Sequence, residues 1–464
     1  MQWITQKHRQ WFLHIMLCVL FLPSAQSSAL NLAEVMKKAI EHDPDIQTKW
    51  HEFLASSHDI RSANGAYLPT IELNADHGFE TRNYGPNAEF NGSNVNLTLS
   101  QALYNGFSTR HQVQRYQHIH LVSYFELLHA VETTSLATFT AFQNVIRHRE
   151  LVRLSRENFD GHKRVYAQIE QSAKAGVARR ADFEQVNGRL ALAESNLLTE
   201  FNNLHDANAR YLRLVGELPP KTFSQPTIKE TLLPATIQDV MDIALQSNPA
   251  FHATLRNIQA AKSSIQLQRS QYHPRLNLTA RYGARDYDEL GNPENRQDSR
   301  IGLEFSYNFY NGGRDQSNLK RAHEEINIAN DLRYKSCIEI RQSLQIAYNE
   351  SRNLAQKLPI LNQHRLSSNT VRTAYKAQFD IGQRTLLDML DAENEFFQSS
   401  RAYTNAKFDQ QIAIANTLAG MGQLLSLLNV TRTGLPTLAE IGAEPLDVNP
   451  EFACPAIDIA QTPE

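Results

Sequence analysis

Two stretches of this chain are one segment written twice. Moving AEVMKKAIEHDP (Ala33–Pro44) by 205 positions lands on QDVMDIALQSNP (Gln238–Pro249), matching Val35 with Val240, Met36 with Met241, Ala39 with Ala244 and Pro44 with Pro249. The same step carries Tyr67-Leu68-Pro69 onto Tyr272-His273-Pro274. A step of 206 carries Tyr104-Asn105-Gly106 onto Tyr310-Asn311-Gly312, Gly176 onto Gly382, Asp182 onto Asp388 and Gly216 onto Gly422. One inserted residue keeps the halves in register, so the chain is a duplication and each half is one structural unit.

Period two comes early in each half. Ile71, Leu73, Ala75, His77 and Phe79 alternate with Glu72, Asn74, Asp76, Gly78 and Glu80, and Val95, Leu97 and Leu99 alternate with Asn94, Asn96, Thr98 and Ser100. The second half repeats this with Leu276, Leu278, Ala280 and Tyr282, then Ile301, Leu303, Phe305, Tyr307 and Phe309. Each pair is joined by a turn-rich loop, NYGPNAEFNG or ELGNPENRQD, so the pattern predicts two long hairpins. Strands with one apolar and one polar face suit a transmembrane β-barrel or a soluble sheet packed on helices. Four strands cannot close a barrel, and open edges in lipid leave backbone groups unsatisfied, so a barrel requires several copies of the chain.

The N-terminus favours the barrel. Lys7 and Arg9 precede an apolar run from Trp11 to Leu22, then Pro23 and small residues up to Ala29, which reads as an export signal over 1–29; a retained anchor is the alternative. Cys18 lacks the small residues that precede a lipidated cysteine. Beyond the signal no apolar run reaches the length of a membrane helix. The mean hydropathy is −0.45, and the remaining chain carries 44 basic against 49 acidic residues, so it offers no basic field for nucleic acid.

Period seven comes next. No proline occurs between Gly106 and Leu218, and a turn at Gly176 leaves helices of about 65 and 40 residues, long enough to need supercoiling or a partner wall. Phe183, Leu190, Leu197, Leu204 and Tyr211 form one seam position; Val186, Ala193, Glu200, Ala207 and Leu214 form the other, with Glu200 its polar interruption. The seam after Gly382 is weaker, with Met389, Phe396 and Tyr403 followed by Gln410 and Thr417. Pro359 predicts a kink or break in the second long helix. Asn-Gly in LYNGF (Leu103–Phe107) and FYNGG (Phe309–Gly313) marks where a strand gives way to a long helix, with Gly taking backbone angles that other residues resist.

These features together resemble the TolC family of outer-membrane exit channels over residues 30–428. The resemblance rests on the duplicated plan, the YNG transitions, AGVARRADFEQV at Ala175–Val186 and IGQRTLLDMLDAENEFF at Ile381–Phe397. It implies a mainly α fold with a transmembrane β part: a homotrimer with a twelve-strand barrel in outer-membrane lipid, a twelve-helix periplasmic tunnel and an equatorial belt. The division is then 1–29 signal, 30–216 first repeat, 217–236 equatorial linker, 237–428 second repeat and 429–464 tail, with the proline-bearing tail expected to be partly disordered.

The same resemblance implies that Asp388 and Asp391 ring the channel constriction. It also implies that Arg384 locks the closed tip against Asp182 on the neighbouring coil, and that Gly176 and Gly382 lie where a periplasmic adaptor docks. Phe379 stands where many relatives have a tyrosine in that lock. Spacing alone favours the plainer reading, in which Asp388 pairs with Arg384 four residues earlier on a solvated face; the resemblance favours the ring.

The function expected is a passive exit duct of the outer membrane of a Gram-negative bacterium. It would work with an inner-membrane transporter, ABC or proton-driven, through the adaptor. Type I protein secretion is preferred, since the lipidated cysteine common among drug-efflux relatives is absent. Multidrug efflux is the alternative, and a structural periplasmic coiled-coil protein the further one. No nucleophile-and-base set or phosphate loop appears, so neither catalysis nor a cofactor is expected. RHRE at Arg147–Glu150 with His162 suggests solvated or seam positions rather than a metal site, and the 117-residue spacing of Cys337 and Cys454 points to no disulfide framework.

Overall fold

The computed structural model of the protein describes residues 32–464 apart from 84–87, 178, 223–227, 290–291, 447, 450–453 and 455–464, so the export signal lies outside it. The first repeated motif builds a helix pair in each half. α1 (Leu32–His42) passes into α2 (Pro44–Gly65) through Asp43, whose carboxylate accepts the N–H groups of Asp45 and Ile46 at 2.9 and 3.2 Å. In the second half, after α5 (Ile237–Ser247), Asn248 caps α6 (Pro249–Arg269) by accepting the N–H of Phe251 at 3.1 Å. The matched prolines therefore sit in the first turn, where their missing N–H costs nothing.

The strands are β1 (Thr70–Arg82), β2 (Ala88–Tyr104), β3 (Arg275–Glu289) and β4 (Asn292–Ser306). They form one antiparallel sheet in the order β1-β2-β3-β4. The two hairpins are thus joined edge to edge through β2 and β3. Register brings the apolar positions onto one face: Ile71 opposes Leu99, which opposes Ala280, which opposes Ile301, and Leu73, Leu97 and Tyr282 form the next row. Most of these side chains are exposed in the protomer, Ile71 by 69%, Leu73 by 65% and Ile301 by 80%, with Leu99 and Ala280 half-buried, which a water-facing sheet would not sustain across a whole band. The opposite face is polar, with Arg281 donating to Asn96 at 2.6 Å and Asn94 to Asp76 at 3.0 Å. β1 and β4 each have one edge unpaired among the described residues.

Both YNG sites lead from sheet to helix. Gly106 (φ 67°) and Phe107 (φ 63°) precede α3 (Ser108–Lys174), and Gly312 (φ 59°) and Gly313 (φ 78°) precede α7 (Arg314–Asp380). A Cβ on Gly106 would lie 2.6 Å from both His273 Cβ and the Ser270 carbonyl oxygen, so close packing as well as backbone angle demands glycine there.

α3 and α7 are 67 residues each, roughly 100 Å, and fold back into α4 (Arg180–Val215) and α8 (Leu386–Gly420). Of the kink or break expected at Pro359, a break is not found. α7 runs through it, with Leu358 and Leu361 on either side packed against Leu354, Ala406 and Ala413, which offsets the lost backbone bond. In α4 the expected seam residues Val186, Ala193, Glu200, Ala207 and Leu214 are buried, while Phe183, Leu190, Leu197 and Leu204 are half-buried. α8 is buried on more of its circumference than its weak heptad suggested, because it packs on both α7 and α3.

α1, α2, α5, α6 and the short α9 (Leu424–Leu428) gather with mid-α3 and mid-α7 around the main core, which includes Met36, Phe139, Phe142, Tyr211, Phe251 and Leu344. The described tail residues are packed: Val430, Val448 and Cys454 are buried in this core, with Leu435, Leu438, Ile441 and Leu446 against it. The disulfide reading is corrected. Cys337 of α7 is bonded to Cys454, Cα atoms 5.6 Å apart, because the apolar tail residues bring that distant cysteine back onto the belt.

Candidate functional site

The two helical hairpins turn by the same device. At the first tip the N–H of Gly176 bonds the carbonyl of Ala173 and that of Val177 the carbonyl of Ser172; at the second, Gly382 bonds Phe379 and Gln383 bonds Gln378. This paired pattern needs a left-handed residue, and Gly176 and Gly382 supply φ of 76° and 77°. Nothing lies within 4 Å of where a Cβ would stand on either, so both turns present open backbone to solvent.

Behind the turns a small apolar cluster joins the tips. Ile169 of α3, Val186 of α4 and Leu386, Met389 and Leu390 of α8 are buried together, with Tyr166, Phe183 and Phe379 packed on them. Phe379 thus takes part in the joint through its ring.

The polar residues surround this joint. Thr385 caps α8: its hydroxyl accepts the N–H of Asp388 at 3.2 Å, while the Asp388 carboxylate accepts the Thr385 hydroxyl at 2.8 Å and its N–H at 3.3 Å. These bonds, with Arg384 3.9 Å away, hold Asp388 below the usual carboxylate range. Asp391, one turn on, accepts Arg189 Nη2 of α4 at 2.8 Å. Arg384 donates to Gln378 at 3.0 Å and lies over the Tyr375 ring at 4.2 Å. Within one protomer, then, Arg384 engages its own hairpin, while Asp182 sits in the first turn of α4 on the other.

Two participants escape sequence reading. Tyr375, one turn before Phe379, supplies an aromatic face to Arg384. Arg189 follows the buried seam residue Val186 by three positions, so it shares the face turned toward α8; that spacing was its only signal.

Higher up, Glu200 occupies the polar seam position. It accepts Arg401 of α8 at 2.9 Å and Asn203 at 3.2 Å, with His148 Nδ1 of α3 at 3.3 Å, tying three helices. Arg147 of α3 reaches Asp409 of α8 at 2.6 Å. Arg147 and His148 of the RHRE segment are thereby absorbed into inter-helix ties, and buried His162 is shifted toward neutrality by desolvation and then by Arg189. Among the described residues no three metal-ligating side chains converge, and no helix is long and apolar enough to cross a membrane.

A sheet with an apolar outer band, carried on twin hairpins of helices about 100 Å long, defines the class of TolC-like outer-membrane channels. The family described as outer membrane efflux protein matches residues 35–217 and again 240–422, one match per repeat, and the chain belongs to it. Outer membrane protein TolC of Escherichia coli K12 is 22% identical over 456 residues, covering 95% of this chain and 90% of that one. Alkaline protease secretion protein AprF of Pseudomonas aeruginosa is 22% identical over 418 residues and 85% of each chain. The crystal structure of the outer membrane protein VceC of Vibrio cholerae superposes with a TM-score of 0.74 at 15% identity, over 84% of this chain and 96% of that one. This is accordingly an outer-membrane protein of a Gram-negative bacterium with a long periplasmic helical portion, an exit duct for secretion or efflux.

Proposed function

We propose that three copies of this chain form one passive duct for type I protein secretion, driven by an inner-membrane transporter through a periplasmic adaptor. The observation that carries the trimer is the four-stranded sheet with two bare edges and a largely exposed apolar band, which reaches a closed, lipid-facing wall when copies join edge to edge. Twelve strands close that wall. AprF, named for protease secretion, resembles this chain along 85% of both, and this supports protein rather than drug as cargo.

Asp388 and Asp391 line the constriction at the periplasmic tip. Arg384 reaches Asp182 across the interface between protomers. Phe379 leaves that lock without a hydroxyl at its position. Gly176 and Gly382, whose backbones stand open at the turns, receive the adaptor.

The gate is tested by single-channel recording in planar bilayers. Arg384→Ser raises conductance by loosening the tip; unchanged conductance in both Arg384→Ser and Asp182→Ala refutes the lock. Loss of secreted polypeptides from the medium of a deletion strain, with drug susceptibility unchanged, is expected of a secretion duct, and the reverse pattern refutes the cargo assignment.

A further inference from the structure

The constriction reading counts two carboxylates per chain, but the structure gives Asp391 a partner that this count omits. Arg189 Nη2 lies 2.8 Å from Asp391 Oδ1, and the pair bridges α4 to α8 next to buried Val186 and Leu390. Burial of those two neighbours fixes both backbones, so the side chains meet without either helix having to move. In the protomer the Arg189 side chain is 29% exposed and the Asp391 side chain 56%, so the anion is the more open partner of the pair.

We propose that Arg189 sets the charge of the channel mouth by neutralising Asp391 within each protomer, leaving Asp388 as the acid whose field dominates the opening. This rests on Asp388 and Asp391 lining the constriction. A paired charge acts at a distance as a dipole, whose field falls off faster than that of a lone charge and is screened within a Debye length of about 8 Å at physiological salt. Three copies then present three dominant carboxylates rather than six.

The surroundings of Arg189 favour this pairing. His162 of α3 faces the same guanidinium, is buried, and is kept neutral by desolvation and by Arg189 itself, so it offers no competing charge. Arg384 does less for Asp388: its nearest nitrogen is 3.9 Å from that carboxylate, against 2.8 Å from Arg189 to Asp391, so the closer pair is the more completely cancelled. Asp388 keeps its charge through the hydroxyl and N–H of Thr385, which are neutral donors and cancel none of it.

The test is the cation-to-anion permeability ratio and trivalent-cation block of the purified channel in planar bilayers. Five variants are compared with the wild type: Arg189→Gln, Arg189→Lys, Asp388→Asn, Asp391→Asn and Arg189→Gln with Asp391→Asn. Arg189→Gln frees Asp391, so the ratio rises at least about twofold and block tightens. Arg189→Lys keeps the wild-type ratio, which separates charge from shape. The double variant removes a neutral pair and returns close to wild type, whereas Asp388→Asn lowers the ratio. If Arg189→Gln is silent while Asp388→Asn lowers the ratio, the constriction stands and the role of Arg189 is refuted. If neither Asp388→Asn nor Asp391→Asn changes ratio or block, the constriction reading is refuted and the proposal with it.

Discussion

Glu200 tests whether the long helices are held by specific seams, because it puts a carboxylate where a coiled coil wants an apolar side chain. Its carboxylate is 3% exposed and is met by Arg401, Asn203 and His148 from three helices. Glu200→Ala removes the common acceptor and leaves a cavity at the seam. A buried charge pair broken on one side costs about 3–5 kcal/mol, but Arg401 is 30% exposed and recovers water, so about 2–3 kcal/mol is expected. Unfolding entropy near 2.1 cal/mol/K per residue makes 1 kcal/mol worth about 1 °C in a chain this long, so helical circular dichroism at fixed scan rate should show a midpoint lower by about 2–3 °C. The hydrogen bond with His148, then Asn203 and Arg401, depresses the Glu200 carboxyl. Its contribution is therefore present above the ordinary carboxylate pKa and disappears as pH falls through the lower folded value. Glu200→Gln should flatten that acid limb. A midpoint within 0.5 °C of wild type for Glu200→Ala at neutral pH would refute the seam network (a shift that small is about 0.5 kcal/mol).

Other sites make separable predictions. Glu132 is buried and pushed up to about 7 by desolvation, against which it accepts the N–H of Leu424 at 2.9 Å. The native state holds that proton longer than the unfolded chain, so stability falls by about 3 kcal/mol between the carboxylate range and pH 7, and Glu132→Gln should remove this slope from a pH series of melting curves. Cys454→Ser opens the loop closed by the bond to Cys337 and should cost up to about 4–5 kcal/mol, with a reductant reproducing the loss in wild type but not in the variant. Phe107 holds a left-handed conformation where the second repeat has Gly313; Phe107→Gly should stabilise the protein by about 1 kcal/mol in the same assay, provided the edge contact with Tyr104 is minor.

How much of this could be read beforehand follows from which forces are local. The alternation at Ile71–Phe79 and the heptad at Val186–Leu214 are local patterns, and both elements form where those patterns place them. The Asn-Gly transitions are local too, since each needs particular backbone angles. Pairing of β2 with β3, by contrast, is a contact between halves with no trace in either half alone. The packed tail and its disulfide escaped for a related reason: prolines made the segment look unstructured, while its few apolar residues find a groove that exists only after the belt assembles. At the tip, family resemblance pointed to Arg384, Asp388 and Asp391, but the ion pair from Arg189 depends on how α4 lies on α8. Uninterrupted α7 shows the same limit, since the packing of Leu358 and Leu361 decides what Pro359 alone cannot.

On the proposed reading one chain is an incomplete wall and several copies complete it. Native mass measurement of the protein extracted by mild detergent from isolated outer membranes tests it most directly. A monodisperse particle of three protomer masses should survive extraction, because bare strand edges and the exposed apolar band are then paired and covered. A water-soluble, monodisperse monomer recovered from the periplasmic fraction, with its helices intact by circular dichroism, would contradict it.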